Sequence, residues 1–153
     1  MIQGLLDKPK WTQHEIYAFI NEMGDIPVLT ACIAGEAAKQ PFLGKLYIAC
    51  TVRNRVRNPR LWPNTYGGVL CKAKHFSCFN ENLFRREIVM DHKNELWWRE
   101  CKFVAWGVVT NWVGDVTGGA THYWNPDIST PRWASKLLWL AKVGDHQFAR
   151  EGA

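Results

Sequence analysis

The sequence predicts one α+β domain, in which helices come first and short strands come late. Apolar residues recur at helical spacing in four segments between residues 12 and 112, and two extended segments near the C-terminus flank a Gly-Asp pair typical of a hairpin turn. The 153 residues suffice for one buried core, and 47% hydrophobic with 22% charged residues is typical of a folded globular chain. We therefore expect residues 1–153 to form a single domain.

Local signals predict the first two helices. Thr12 and Glu15 have the spacing of a capping box, and the apolar residues that follow keep helical spacing until Gly24. After Pro27, residues 28–38 are rich in alanine, which predicts a buried helix that packs closely on its neighbours. Glu36 lies in the last turns of this second helix.

Two longer helices and an irregular stretch should follow. Residues 40 and 41 break the chain and begin a third helix, which ends at Asn58-Pro59 and has Leu43, Leu46, Cys50 and Arg53 on one side. Turn residues and the apolar patch 76–79 suggest a short helix and a short strand between residues 60 and 86. A long helix should cover residues 94–112, with Trp98, Cys101, Ala105 and Val108 in its core stripe, and end at Gly114.

The late segments should form a small antiparallel sheet. Residues 120–124 are predicted as one strand, and residues 137–143 and 146–149 as a hairpin around Gly144-Asp145. Because side chains alternate along a strand, Tyr123 should lie on one face and His122 and Trp124 on the other.

Composition restricts the environment and the partner. The net charge of +5 and the basic residues interleaved with aromatic ones suit an anionic polymer, either nucleic acid or bacterial cell wall. The five cysteines are odd in number and lack a CxxC pair, which favours reduced, mostly buried thiols. No uncharged run approaches the roughly 20 apolar residues of a membrane span, and the first residues do not resemble a signal peptide, so we expect another delivery route.

Glu36 is the candidate general acid. It stands among Ile33, Ala34 and Ala37, and an apolar setting disfavours the ionised form of a carboxyl, which is what a general acid needs at neutral pH. The local pattern also fits a solvent-exposed helical glutamate, and it leaves both interpretations open.

Two other kinds of site are considered from the residues. The five histidines show neither HxH nor HExxH spacing, so no metal or other cofactor is predicted, and His146 is interpreted as a structural hydrogen-bonding residue. A basic nucleic-acid-binding module is the alternative that uses phosphate contacts, and its residues would be Arg53, Arg55, Lys72, Lys74, Arg85 and Arg86. We expect no specific nucleic-acid binding.

A series of short motifs in one order carries a family resemblance over roughly residues 28–149. The motifs include Gly35-Glu36-Ala37, Val52-Arg53-Asn54-Arg55-Val56, Pro63-Asn64-Thr65, His75-Phe76-Ser77, Thr117-Gly118-Gly119-Ala120-Thr121-His122-Tyr123 and Gly144-Asp145-His146-Gln147-Phe148. Together they resemble the bacterial cell-wall hydrolases of the spore-cortex lytic enzyme type. The sequence departs from that pattern at residues 38–40, where Gln40 stands in place of a common acidic residue, and at Trp124 and Ala149.

The resemblance implies a lysozyme-like α+β fold, mainly helical with a small antiparallel sheet. It also implies cleavage of peptidoglycan between N-acetylmuramic acid and N-acetylglucosamine, with Glu36 as the catalytic acid. We expect the substrate to be bound by residues that offer hydrogen-bond donors or flat rings, namely Phe76, Ser77, His122, Tyr123, Trp124 and Asn125.

The number of candidate carboxylates favours one reaction. A hydrolase needs a pair of them, whereas Asp25, Glu81, Asp115, Asp127 and Asp145 all lie in predicted turns or loops. One acid suffices for a lytic transglycosylase, which leaves 1,6-anhydro ends. A hydrolytic N-acetylmuramidase and a zinc muramyl-alanine amidase remain alternatives. We expect a monomer that acts at the cell wall, of phage or prophage origin and released by a holin.

Overall fold

A helical body followed by a small sheet makes up the chain in the computed structural model, which describes residues 10–72, 76–79, 92 and 95–152. The helices in these ranges are α1 (Gln13–Glu22), α2 (Asp25–Ala37), α3 (Phe42–Val56), α4 (Tyr66–Leu70) and α5 (Leu96–Val109). The strands are β1 (His122–Trp124), β2 (Leu137–Val143) and β3 (His146–Glu151), and 3-10 helices lie at Ser77–Phe79 and Arg132–Lys136. The predicted α+β class, mainly helical with a small antiparallel sheet, is confirmed.

The capping box at the start of α1 is confirmed. The Thr12 hydroxyl accepts the Glu15 N–H at 3.2 Å, and the Glu15 carboxylate accepts the Thr12 N–H at 2.9 Å. The two bonds satisfy backbone donors that the first turn of a helix leaves unpaired. Ile16, Phe19 and Ile20 are buried on the predicted face, and the helix ends just before Gly24.

Helix α2 is the centre of the core. It packs against α3, α4 and α5, and most of its residues from 28 to 37 are buried, as its alanine content predicts. The helix begins at Asp25, three residues before the predicted start, because Pro27 lies in the first turn, where a missing N–H breaks no helical hydrogen bond. Asp25 is therefore helical and not part of a turn. The helix carries Glu36 out of the core at its last turn.

Helix α3 has the predicted position, and its predicted side is confirmed in part, because Cys50 and Arg53 on that side are buried. Leu43 is 48% exposed, whereas Lys45 and Arg53 are 3% and 2% exposed. The Lys45 ammonium lies 3.0 Å from the Glu100 carboxylate. The Arg53 guanidinium donates to the backbone carbonyls of Val108, in the last turn of α5, and of Val113, beyond its end. Because each charged group finds acceptors, both of these long cationic side chains can be buried.

Two predicted elements differ from the structure. The apolar patch at 76–79 contains a 3-10 helix and not a strand, closed by the Phe79 N–H donating to the Phe76 carbonyl at 3.1 Å. Helix α5 ends at Val109 and not at Gly114, because Asn111 has a φ of 60°, a left-handed conformation that ends a helix. The predicted core stripe of α5 is confirmed, since Trp98, Cys101, Ala105 and Val108 are buried.

The sheet has the order β1-β3-β2, with both pairs antiparallel. Tyr123 pairs with Phe148 in register, and the predicted turn at Gly144-Asp145 joins β2 to β3. Gly144 has a φ of +57°, and a Cβ added there would lie 2.2 Å from the side-chain oxygen of Gln40. The backbone conformation therefore favours glycine at this turn, and a side chain there would also displace that of Gln40.

The structure bears on two further predictions, one about the cysteines and one about membrane-spanning helices. The five cysteines are not paired with one another, and all except the partly exposed Cys71 are buried, which confirms the predicted burial. Among the described helices, none combines the length and the apolar character that crossing a bilayer requires.

Candidate active site

The Glu36 carboxylate lies where three segments of the chain meet. It is half-buried at the last turn of α2. One oxygen, Oε2, accepts the hydroxyl of Tyr123 from β1 at 3.1 Å, and the other, Oε1, accepts the backbone N–H of Cys78 from the 3-10 helix at 3.2 Å. A different segment therefore holds each oxygen of the carboxylate.

The Tyr123 side chain is surrounded by rings. Its own ring lies 6.4 Å from that of Phe76, 5.2 Å from that of His146 and 5.9 Å from that of Phe148. Burial raises the pKa of Tyr123 well above its ordinary value, and the nearby Glu36 charge raises it further. The hydroxyl therefore stays protonated and serves as a donor to the carboxylate.

Two thiols border the same carboxylate. Burial raises the pKa of Cys32 and of Cys78 well above its ordinary value, and the Glu36 charge acts in the same direction. Both thiols are therefore neutral at physiological pH, and they add no negative charge beside Glu36.

The buried guanidinium of Arg55 contacts the segment just before β1 and two aromatic rings near it. Arg55 is 6% exposed, its Nε donates to the backbone carbonyl of Thr121 at 2.6 Å, and its charged group lies over the rings of Trp62 and Phe76 at 5.5 and 5.3 Å. Burial lowers the pKa of Arg55 from its ordinary value, although an arginine remains protonated. From the sequence, Arg55 is predicted only as a basic residue, and its bond to the residue just before β1 has no local signal.

Two residues that the hypothesis of a nucleic-acid-binding module depends on are not accessible to a nucleic acid. Arg53 and Arg55 are buried and bonded to backbone carbonyls, so neither is available to a phosphate. Lys72 is exposed, whereas the other three residues of that hypothesis, Lys74, Arg85 and Arg86, lie outside the described residues.

The remaining predicted site residues lie on β1, just after it, or in and just before the 3-10 helix Ser77–Phe79. His122 lies on the opposite face of β1 from Tyr123, as alternation predicts, with its ring 5.8 Å from Trp62 and 5.1 Å from Trp133. Trp124 packs against Trp133 at 5.6 Å. The Asn125 side chain accepts the Asp127 N–H within its own turn. Phe76 is 1% exposed and packs on Tyr123, and the side chain of Ser77 lies outside the described residues.

The sequence predicts that His146 is a structural hydrogen-bonding residue, and the structure contradicts this prediction for one ring nitrogen. Its Nδ1 is buried and has no hydrogen-bond partner within the part of the chain that the structure describes. The ring instead meets the Tyr123 ring edge-on. The sequence offered a signal for this contact, because His146 and Phe148 alternate on the strand that pairs with Tyr123.

Two other described carboxylates near the sheet, those of Asp115 and Asp145, are held by hydrogen bonds. Asp115 accepts the N–H groups of Thr117 and Gly119 at 2.9 and 2.8 Å. Burial alone would raise the pKa of Asp115, but these hydrogen bonds outweigh burial and lower it. Asp145 is bonded to Gln40, and Glu81 lies outside the described residues. Within residues 10–72, 76–79, 92 and 95–152, no three His, Cys, Asp or Glu residues form a group that could hold a metal ion.

Comparison with known proteins finds cell-wall enzymes. Residues 39–149 match a family described as Cell Wall Hydrolase. The chain is 29% identical over 126 residues to the spore cortex-lytic enzyme of Bacillus cereus and 28% identical over 131 residues to that of Bacillus subtilis. These matches cover 82% and 81% of this chain but only 44% and 37% of the relatives, so the chain spans less than half of their length.

Two solved structures have the same fold. The catalytic domain of the germination-specific lytic transglycosylase SleB from Bacillus anthracis matches with a TM-score of 0.67 and 26% identity, over 85% of this chain and 98% of that one. The catalytic domain of the Bacillus cereus SleB protein matches with a TM-score of 0.66 and 26% identity, over 82% of this chain and 89% of that one.

Proposed function

This chain belongs to the cell wall hydrolase family, and from that premise we propose that it is a lytic transglycosylase with Glu36 as its general acid. Its substrate is peptidoglycan, and the bond cleaved joins N-acetylmuramic acid to N-acetylglucosamine. The observation that carries the proposal is the carboxyl of Glu36, half-buried, with one oxygen on the Tyr123 hydroxyl and the other on the Cys78 N–H. The SleB catalytic domain, described as a lytic transglycosylase, supports the reaction type.

The reaction needs one group that first gives and then takes a proton. Protonated Glu36 donates to the glycosidic oxygen as the bond from that oxygen to C1 breaks. The resulting carboxylate accepts the proton of the muramic acid C6 hydroxyl, whose oxygen bonds to C1 and closes the 1,6-anhydro ring. The donors from Tyr123 and Cys78 orient the carboxyl and stabilise the carboxylate that forms after the first proton transfer. Water is not consumed.

The surroundings of Glu36 favour this reaction over hydrolysis. A hydrolase of the usual kind places a second carboxylate about 5 Å away if it retains configuration, or about 6.5–9.5 Å away if it inverts it. The Asp115 and Asp145 carboxylates, which lie on loops that adjoin the sheet, are held by donors of their own turns or by Gln40. Neither of these two carboxylates is bonded to Tyr123 or to the Cys78 N–H, the groups that donate to the Glu36 carboxylate.

Mass spectrometry of digested, purified peptidoglycan tests the reaction type. We expect muropeptides that end in 1,6-anhydromuramic acid. Reducing muramic acid ends would identify a muramidase, and free stem peptides would identify an amidase. Either of these products in place of anhydro ends would refute the proposal.

The substitution Glu36→Gln tests the catalytic assignment. The amide fills the same space but has no acidic proton, so we expect lysis to fall by about 10²–10⁴-fold, the usual contribution of a general acid. The circular dichroism spectrum and melting temperature should stay near those of the unmodified chain. Glu22→Gln, at an exposed glutamate that ends α1, is the matched control and should retain full activity. Normal lysis by Glu36→Gln would refute the assignment, and loss of folding would show that Glu36 is structural.

The site of action follows from the family. A cell wall hydrolase acts on the cell wall, and the basic net charge of +5 suits that anionic polymer. Action as a monomer, phage origin and release by a holin stay predictions from the sequence. Analytical ultracentrifugation of the purified chain tests the first of them.

A further inference from the structure

His146 lies beside the pair formed by Glu36 and Tyr123. It is the first residue of β3, it is 8% exposed, and its ring meets that of Tyr123 at 5.2 Å and an interplanar angle of 86°. The Tyr123 hydroxyl in turn donates to Glu36. The buried Nδ1 has no hydrogen-bond partner among the residues that the structure describes, so the contact with Tyr123 is made by the ring and not by a polar bond from that nitrogen.

The turn before His146 is tied to the chain that follows α2. The Gln40 side chain donates to the Asp145 carboxylate at 2.8 Å and accepts the Asp145 N–H at 2.9 Å. An acidic residue at position 40 would face the Asp145 carboxylate with a like charge and could not donate to it. The two bonds therefore hold the strand that carries His146 against the helix that carries Glu36.

Two charged groups face the His146 ring. They are Glu36, from α2, and Asp145, from its own turn, while the rings of Tyr123 and Phe148 cover it from β1 and β3. Burial lowers the pKa of His146 from its ordinary value, and the charges of Glu36 and Asp145 oppose that effect. The ring is therefore neutral at pH 7 and gains its charge only in acidic solution.

We propose that His146 is a positioning residue for the Glu36–Tyr123 pair, and that its protonation sets the acidic limit of activity. The proposal rests on the proposed function of Glu36. The neutral ring supports Tyr123 in the position from which its hydroxyl reaches Glu36. An imidazolium there repels the positive charge of an oxocarbenium-like transition state.

The pH profile of His146→Phe is the first test, because phenylalanine keeps an aromatic ring on Tyr123 but cannot be protonated. For the unmodified chain, we expect kcat/KM to fall at least about tenfold between pH 7 and about pH 4.5. His146→Phe should lose about three- to tenfold at pH 7 and then change by less than about threefold over the same interval. His14→Phe, at an exposed histidine of α1, is the matched control and should keep the acidic decline. A tenfold acidic decline that persists in His146→Phe would overturn the proposal, as would an equal loss at every pH.

A titration of the His146 ring by NMR is the second test and needs no activity. Removing the Glu36 charge removes an attraction for the proton, so the apparent pKa of the His146 imidazole should be lower in Glu36→Gln than in the unmodified chain. An unchanged imidazole titration would overturn the coupling. This outcome is distinguishable from failure of the proposed function, which shows as normal lysis by the same Glu36→Gln variant.

Discussion

The substitution Tyr123→Phe removes one hydroxyl from the centre of the site. That hydroxyl donates to Oε2 of Glu36 at 3.1 Å. The ring contacts with Phe76, His146 and Phe148 involve no hydroxyl, so phenylalanine can keep them. The variant therefore tests the hydrogen bond separately from the packing.

The size of the expected effect follows from the charge of the acceptor. A hydrogen bond to an ionised group contributes about 1.5–3 kcal/mol, which corresponds to a loss of about 10–150-fold in kcat/KM if the bond is made to the carboxylate that forms in the transition state. Stability should change much less, because Glu36 is half-buried and retains the Cys78 N–H as a donor. We expect a decrease of about 1 kcal/mol or less in the free energy of unfolding, or about 2–4 °C in melting temperature.

The assay is the release of soluble muropeptides from purified peptidoglycan, with the melting temperature measured on the same samples. Tyr66→Phe removes a hydroxyl from another buried tyrosine, which makes no hydrogen bond to Glu36, and should retain activity. Normal kcat/KM for Tyr123→Phe would refute a functional role of the bond. If His122→Ala were the inactive variant instead, the opposite face of β1 would line the cleft.

Two further predictions concern stability and metal dependence. Arg53→Met removes a buried donor from the backbone carbonyls of Val108 and Val113 and should lower the free energy of unfolding in urea by about 2–4 kcal/mol. An unchanged value would show that these bonds contribute nothing. Activity should survive EDTA, because the proposed reaction needs one proton donor. Complete inactivation that zinc reverses would favour the amidase.

The parts of the fold that the sequence predicted well depend on signals only a few residues long. The capping box that begins α1, the alanines of α2 and the turn at Gly144-Asp145 each act within one segment, and the structure contains all three. Alternation along β1 likewise placed Tyr123 on the face opposite His122, and the hydrogen bond to Glu36 is consistent with that register.

The parts that could not be predicted depend on contacts between distant segments. The donor to Oε1 of Glu36 is the backbone N–H of Cys78, 42 residues away, and a backbone donor has no side-chain signature in a sequence. The burial of Lys45 could not be predicted either, because its partner Glu100 lies on a helix 55 residues away and only the packing of α3 on α5 brings the two together. The role of Gln40, which stands in place of a common acidic residue, could not be predicted either, because its partner Asp145 lies 105 residues away in the chain.

Asn54 and Arg55 of α3 hold the segment that leads into β1, the strand that contacts the proposed catalytic acid. Asn54 Nδ2 donates to a backbone carbonyl at 2.8 Å and Arg55 Nε to the next carbonyl along the chain at 2.6 Å, and these two carbonyls belong to the residues just before β1. A strand that slips by one residue turns every side chain to the other face. By holding the chain where β1 begins, the two side chains fix the register in which Tyr123 points toward Glu36 and not away from it. This segment of α3 resembles a phosphate-binding patch in the sequence, but its side chains bind backbone carbonyl groups. The charge of Arg55 is therefore buried in the protein and does not contact an anionic polymer.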